Sequence, residues 1–204
     1  MLVVGWLVTA LASSRPADHS VPLDQASVDE LDRGATVWGQ TGSGGRDRAW
    51  GARVVAASCD EVWTQIQDYG GYDAIWPYVS HSTLDAVHYE GAAPVYDATV
   101  HLLVRGVLAR FALESRPHRD EGWLEFRATP ASPGPVEAVT GWWRVEPWRG
   151  DPTRSLVTWS VEVDSDWWIP GWVRAVASRK GVPLVLDALA RRVEGDDGLA
   201  ITAK

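Results

Sequence analysis

From His81 to Val163 the chain consists of six runs of strand length with little between them except turn residues. The runs are His81 to Tyr89, Val95 to Val104, Val107 to Ser115, Gly122 to Ala128, Val136 to Val145 and Ser155 to Val163. Glu90-Gly91, Arg105-Gly106, Asp120-Glu121-Gly122, Ser132-Pro133-Gly134 and Arg149-Gly150-Asp151-Pro152 separate them. These are residues that supply the dihedral angles tight turns need. Connections this short join antiparallel neighbours, because a parallel pair needs a crossover of about a dozen residues or more. Side chains alternate as a two-faced sheet requires: Val157, Trp159, Val161 and Val163 share one face, while Thr158, Ser160 and Glu162 share the other. Ala109, Phe111 and Leu113 alternate in the same way with Arg110 and Glu114.

Helical signals flank this meander. Ala35 to Trp38 and Arg46 to Ala57 read as a strand pair around a flexible loop, Gly39 to Gly45. That loop lacks the Lys-Ser/Thr ending of a phosphate loop. Ser58-Cys59-Asp60-Glu61 is a capping box, in which Ser58 and Glu61 satisfy each other's backbone amides. The helix it opens runs to about Gln67, with Val62, Trp63 and Ile66 on its apolar face. Gly70-Gly71 breaks it, and a second short helix from Tyr72 to Trp76 ends before Pro77. After the strands, Pro170 opens a long helix carrying Trp172, Val173 and Val176. Gly181-Val182-Pro183 kinks it, Val185, Leu186, Leu189 and Val193 continue its stripe, and Gly195 ends it.

One curved sheet and one long helix have an obvious packing solution: the sheet wraps the helix and the short helices plug one end. The expected class is therefore α+β, a helix-grip fold with a curved antiparallel sheet around a long C-terminal helix. Residues 1–12 form a signal-like apolar segment, 13–33 a polar linker with a short helix from Ser27 to Arg33, 34–195 the folded domain and 196–204 a tail. Such a wrap tends to leave a cavity between sheet and helix. At roughly 24 cal/mol per Å3, an unfilled apolar pocket of about 500 Å3 would cost on the order of 12 kcal/mol. That rivals a whole domain's stability of about 5–15 kcal/mol. The cavity is accordingly expected to be small, hydrated or occupied.

Composition narrows the partners. Net charge is −8 and no dense run of Lys and Arg occurs, so nucleic acid is not an expected partner. A single cysteine excludes an intramolecular disulfide. The 13 tryptophans against two phenylalanines, the near absence of Lys and the lack of Asn fit a GC-rich bacterial genome, and they also fit a pocket walled by indoles. The run MLVVGWLVTALA is too short to span a bilayer comfortably, and Ala10-Leu11-Ala12 resembles a signal-peptidase site. Periplasmic or secreted placement is the expectation. The missing basic residue at its start counts against it, and a mis-assigned start codon would make the protein cytoplasmic.

Particular residues carry a family resemblance. Ala57-Ser58-Cys59-Asp60-Glu61-Val62-Trp63, then Asp68-Tyr69 and Tyr72 to Pro77, resemble the opening of the START-like, or SRPBCC, superfamily. Gly141-Trp142-Trp143-Arg144-Val145-Glu146-Pro147 is similar to its Gly-x-Trp strand. Thr153 to Val163, Ile169-Pro170 and Arg191-Arg192 are similar to its closing strand and helix. The resemblance covers about residues 34 to 194 and implies the helix-grip fold. It also implies kinship with polyketide cyclases and dehydrases, coenzyme Q-binding proteins and lipid-transfer domains.

The expected function is binding or transfer of a hydrophobic small molecule, such as a lipid, a quinone or a polyketide, in the internal cavity. Its expected contacts are Trp76, Tyr96, Phe111, Trp123, Trp143, Trp159, Trp172 and Val176. Trp167 and Trp168 precede the long helix and read as a ligand gate or a transient membrane-surface contact, because tryptophan favours interfaces. The alternative is a cyclase or dehydratase, for which Arg105, His101, Glu125 and Arg144 are the nearest proton-transfer candidates. A ligand-free interaction domain with a filled core is the third reading. Cys59 has no histidine nearby in sequence to act as its base, so no catalytic residue is assigned. His88-x-Glu90 lacks a third ligand, so no metal is expected, and no cofactor either.

Overall fold

The computed structural model describes residues 19–43, 46–104, 106–131, 138–164 and 181–195. Trp172, Val176, Trp167, Trp168 and Arg105, together with the apolar run 1–12, lie outside the described residues, as does the helix expected between Pro170 and Lys180. The chain order is α1 (Gln25–Asp32), β1 (Val37–Ser43), β2 (Arg46–Val55), α2 (Cys59–Ile66), α3 (Tyr72–Ile75), β3 (Val79–Glu90), β4 (Ala93–Val104), β5 (Val107–His118), a 3-10 turn (Arg119–Glu121), β6 (Trp123–Pro130), β7 (Ala138–Trp148), β8 (Asp151–Asp164) and α4 (Gly181–Glu194).

Among the described residues the strands form one eight-stranded sheet in the order β1-β2-β8-β7-β6-β5-β4-β3. Neighbours pair antiparallel throughout, so the meander expected between residues 81 and 163 is present strand for strand. The chain then returns β8 beside β2, with Trp159 opposite Gly51. The strands run further than the alternation alone suggested; β5, for instance, continues through Pro117 to His118, and the 3-10 turn that follows ends at Gly122 with a left-handed φ of 74°. A Cβ at Gly122 would sit 2.9 Å from the Val145 carbonyl oxygen, so that turn needs glycine twice over. Gly39 to Ser43 is also strand rather than loop: Gly39 pairs with Trp50, whose indole lies where a Cβ of Gly39 would be. Backbone pairing and a tryptophan cover hold a glycine-rich segment that propensity alone would leave open.

The capping box closes as expected: Ser58 N–H donates to the Glu61 carboxylate at 2.8 Å and Glu61 N–H donates to Ser58 Oγ at 3.4 Å. α2 then puts Val62, Trp63 and Ile66 into the core. The first helix begins two residues before the expected Ser27, because Asp24 is its cap; its carboxylate accepts from Ser27 N–H at 2.9 Å.

Among the described residues, buried apolar clusters lie on both sides of the sheet. On the inner side, α2 and α4 pack Val62, Ile66, Val182, Leu186 and Leu189 against Val145 and Val157. Gly51 permits the close approach of α4, since a Cβ there would overlap Val182 Cγ1 and lie 2.8 Å from Leu186 Cδ1. Arg53, Thr36 and Asp187 tie α4 to the sheet, with Arg53 donating to Asp187 at 2.8 Å and to Thr36 at 3.0 Å. On the outer side, α1 covers Ala52, Val54, Trp148 and Leu156 with its buried Leu31. Asp32 accepts from Trp148 Nε1 at 3.1 Å and pairs with Arg149 at 2.7 Å, fixing that strap. This is the helix-grip arrangement.

Candidate functional site

A cavity of about 190 Å3 opens on the sheet's inner side. Its wall is built by strand alternation. β5 contributes Phe111, Leu113 and Ser115, β6 contributes Leu124, Phe126 and Ala128, and β8 contributes Trp159, Val161 and Val163. β4 adds Val100 and Leu102, β7 adds Val139 and Trp143, and α4 adds Val185. Tyr69, Tyr72, Trp76, Pro77 and Val79 close one end. On the scale used above, an unfilled void of this size costs on the order of 5 kcal/mol. A fold can carry that, and a ligand would recover much of it.

Four of the residues expected from sequence line the cavity: Trp76, Phe111, Trp143 and Trp159. Tyr96 does not. Its ring packs against that of Tyr69 at 5.1 Å, and Tyr69 lines the cavity where Tyr96 does not. Trp123 is on the wrong face altogether. Leu124, Phe126 and Ala128 point inward, so Trp123 projects outward with Glu125 and Arg127. There it stacks between His118 (3.8 Å) and His19 (3.9 Å) and donates to Glu121 at 3.0 Å. The proton-transfer candidates are also outside the cavity. His101 meets His81 on the outer face at 5.6 Å, Glu125 is exposed, and Arg144 donates to Glu146 at 3.1 Å. Cys59 Sγ accepts from Ser155 Oγ at 3.4 Å. His88 faces Asp97 at 3.2 Å, and Glu90 pairs with Arg116 at 2.9 Å.

Sequence reasoning missed Tyr69 and Tyr72, although Asp68-Tyr69 belongs to the opening motif. Their rings begin a continuous aromatic series through the wall. Tyr69 and Tyr72 lie 5.6 Å apart, Tyr72 and Trp76 5.5 Å, Trp76 and Trp143 5.4 Å, and Trp143 and Trp159 5.2 Å. Tyr69 donates its hydroxyl proton to Ser115 Oγ at 2.8 Å, and Ser115 passes its own to the Glu125 carbonyl at 3.4 Å. Tyr72 donates to the Ile66 carbonyl at 2.6 Å. Burial pushes both phenols well above the ordinary value of 10.0, so they stay protonated. Among the described residues the cavity wall has no Asp, Glu, His, Lys or Arg.

Two polar atoms in that wall stand out. The indole nitrogens of Trp76 and Trp159 are buried and have no hydrogen-bond partner. Leaving a buried donor unpaired costs about 1–3 kcal/mol.

An antiparallel sheet gripping a helix around such a cavity defines the START-like class of fold. Residues 49–194 match the family described as polyketide cyclase / dehydrase and lipid transport, and the chain belongs to that family. Similar solved structures span nearly their whole length. An aromatase/cyclase from a Streptomyces species is 19% identical, with 76% of this chain and 99% of that one covered at a TM-score of 0.59. A START superfamily protein from Mycobacterium smegmatis is 16% identical, with 72% and 97% covered at 0.59. A STAR-related lipid transfer protein from Xanthomonas axonopodis is 15% identical, with 77% and 98% covered at 0.55. No curated protein matches the chain in sequence. The α1 strap precedes the residues that match the family.

Proposed function

We propose that this protein binds and carries a hydrophobic small molecule, of lipid, quinone or polyketide type, in the cavity between the sheet and α4. The observation that carries this reading is the wall itself: aromatic and aliphatic side chains from six strands, α3 and α4 converge, and among the described residues no ionisable acid or base joins them other than the two protonated phenols. Apolar concave sites of this kind are where small ligands bind. Membership in a family whose description includes lipid transport agrees with it. A cyclase would need titratable groups that converge on the substrate. The three described candidates for that work, His101, Glu125 and Arg144, all lie on the outer face of the sheet.

Native mass spectrometry of purified protein, followed by organic extraction, tests the reading. A co-purifying apolar molecule that also raises the melting temperature when added back is the expected result. Ligand-free protein whose melting temperature is indifferent to fatty alcohols, quinones and aromatic ketones would overturn it.

A further inference from the structure

We propose that Gly141 sets the depth of the cavity, and with it the size of ligand the cavity takes, by making room for the end of the Phe126 ring against the β7 backbone. This builds on the reading of the cavity as a ligand site and adds what limits its occupant.

Gly141 lies within β7 and is not one of the glycines with a positive φ. Glycine inside a strand is unfavourable, and it marks a place where another group approaches closely. Here that group is a cavity side chain. A Cβ on Gly141 would lie 2.6 Å from Phe126 Cζ and 2.8 Å from Phe126 Cε1. On the inner face Gly141 has Val139 and Trp143 along its own strand, and Phe126 and Val161 directly across from it. All four line the cavity, and Gly141 does not. The glycine therefore sits in the middle of the floor, and the Phe126 ring reaches from β6 into the space its side chain would fill.

The direction of any displacement follows from the sheet. A side chain on the inner face stands away from the backbone. One growing from Gly141 would lift the ring off the sheet, toward the chamber the ring lines. Phe126 is only partly buried, so the ring is not packed in on every side. The chamber holds about 190 Å3. An apolar cavity of about 150 Å3 admits benzene, so a phenyl ring turned inward takes much of the room for a ligand. Trimming Phe126 does the reverse and opens the floor down to Gly141. The glycine holds the ring down, and the ring fixes how large an occupant fits.

The test titrates naphthalene and phenanthrene by fluorescence into the full chain, Phe126→Leu, Gly141→Ala and the variant carrying both changes, with thermal melts to report folding. Phe126→Leu should shift the affinity ratio about fivefold toward phenanthrene, the larger probe. Gly141→Ala should bind naphthalene about tenfold more weakly, and adding Phe126→Leu should restore it. Restoration separates a blocked chamber from general damage. A Cβ on Gly141 would also overlap the Ser160 carbonyl oxygen. Should Gly141→Ala not fold for that reason, Phe126→Leu decides alone. An unchanged ratio in Phe126→Leu overturns this inference and leaves the ligand site standing. So does a folded Gly141→Ala that binds naphthalene like wild type, or a loss that the second change does not restore. No binding of either probe by wild type overturns both.

Discussion

Trp143 and Trp159 stand directly opposite each other on β7 and β8, and their rings stack at 5.2 Å with only 13° between the planes. Cross-strand position and aromatic contact reinforce each other there, in the middle of the cavity wall. Replacing Trp143 with Ala should lower unfolding free energy by about 3–5 kcal/mol, measured by urea denaturation. Trp143→Phe should lose clearly less. Equal losses would mean that a ring retained opposite Trp159 recovers none of the packing.

Tyr69 and Ser115 form a buried pair whose members are unequal. Ser115→Ala strands the Tyr69 hydroxyl in an apolar site and should cost about 1–3 kcal/mol. Tyr69→Phe leaves Ser115 its Glu125 carbonyl and should cost about 0.5–1.5 kcal/mol. The double variant should lose less than the sum, because the second change removes the group the first left unpaired. Strict additivity in denaturation experiments would show that the pair is not coupled.

At Gly51 the side chains of α4 pack directly on the β2 backbone. Gly51→Ala forces Val182 and Leu186 away and should cost about 1–3 kcal/mol. Adding Val182→Ala should return part of that loss, even though Val182→Ala alone is destabilising. Thermal melts of the three variants decide it.

The buried phenols give the protein an alkaline limit. Burial raises the folded-state values of Tyr69 and Tyr72 above 10.0. The folded protein then holds protons that the unfolded chain releases, so their contribution is complete below pH 10 and falls as pH climbs past it. Absorbance near 295 nm, followed against pH, should show the ionisation of these two among the five tyrosines only together with unfolding. Five tyrosines ionising freely in a folded protein would contradict the burial.

Much of this was legible in the chain because it depends on local rules. Turn residues and alternation defined the meander, and Ser58 with Glu61 defined where α2 begins. The misplacement of Trp123 was avoidable: Glu125 and Arg127 share its parity, and Leu124, Phe126 and Ala128 mark the inner face. Tyr96 differs: it shares the parity of Val100 and Leu102 but packs on Tyr69, which comes from a distant segment of the chain, and does not line the cavity. The unpaired indole nitrogens were beyond sequence reasoning altogether. An unsatisfied donor is a property of three-dimensional surroundings, which no spacing of residues encodes.

The strap at α1 has a mechanical consequence. Leu31, Trp148 and Leu156 brace the sheet from behind, and Asp32 clamps the brace to Trp148 and Arg149. Stiffness is thus supplied on the side away from the cavity. The rear buttress therefore holds the curvature that gives the chamber its shape, so a substitution that loosens α1 should be felt on the opposite face of the same sheet.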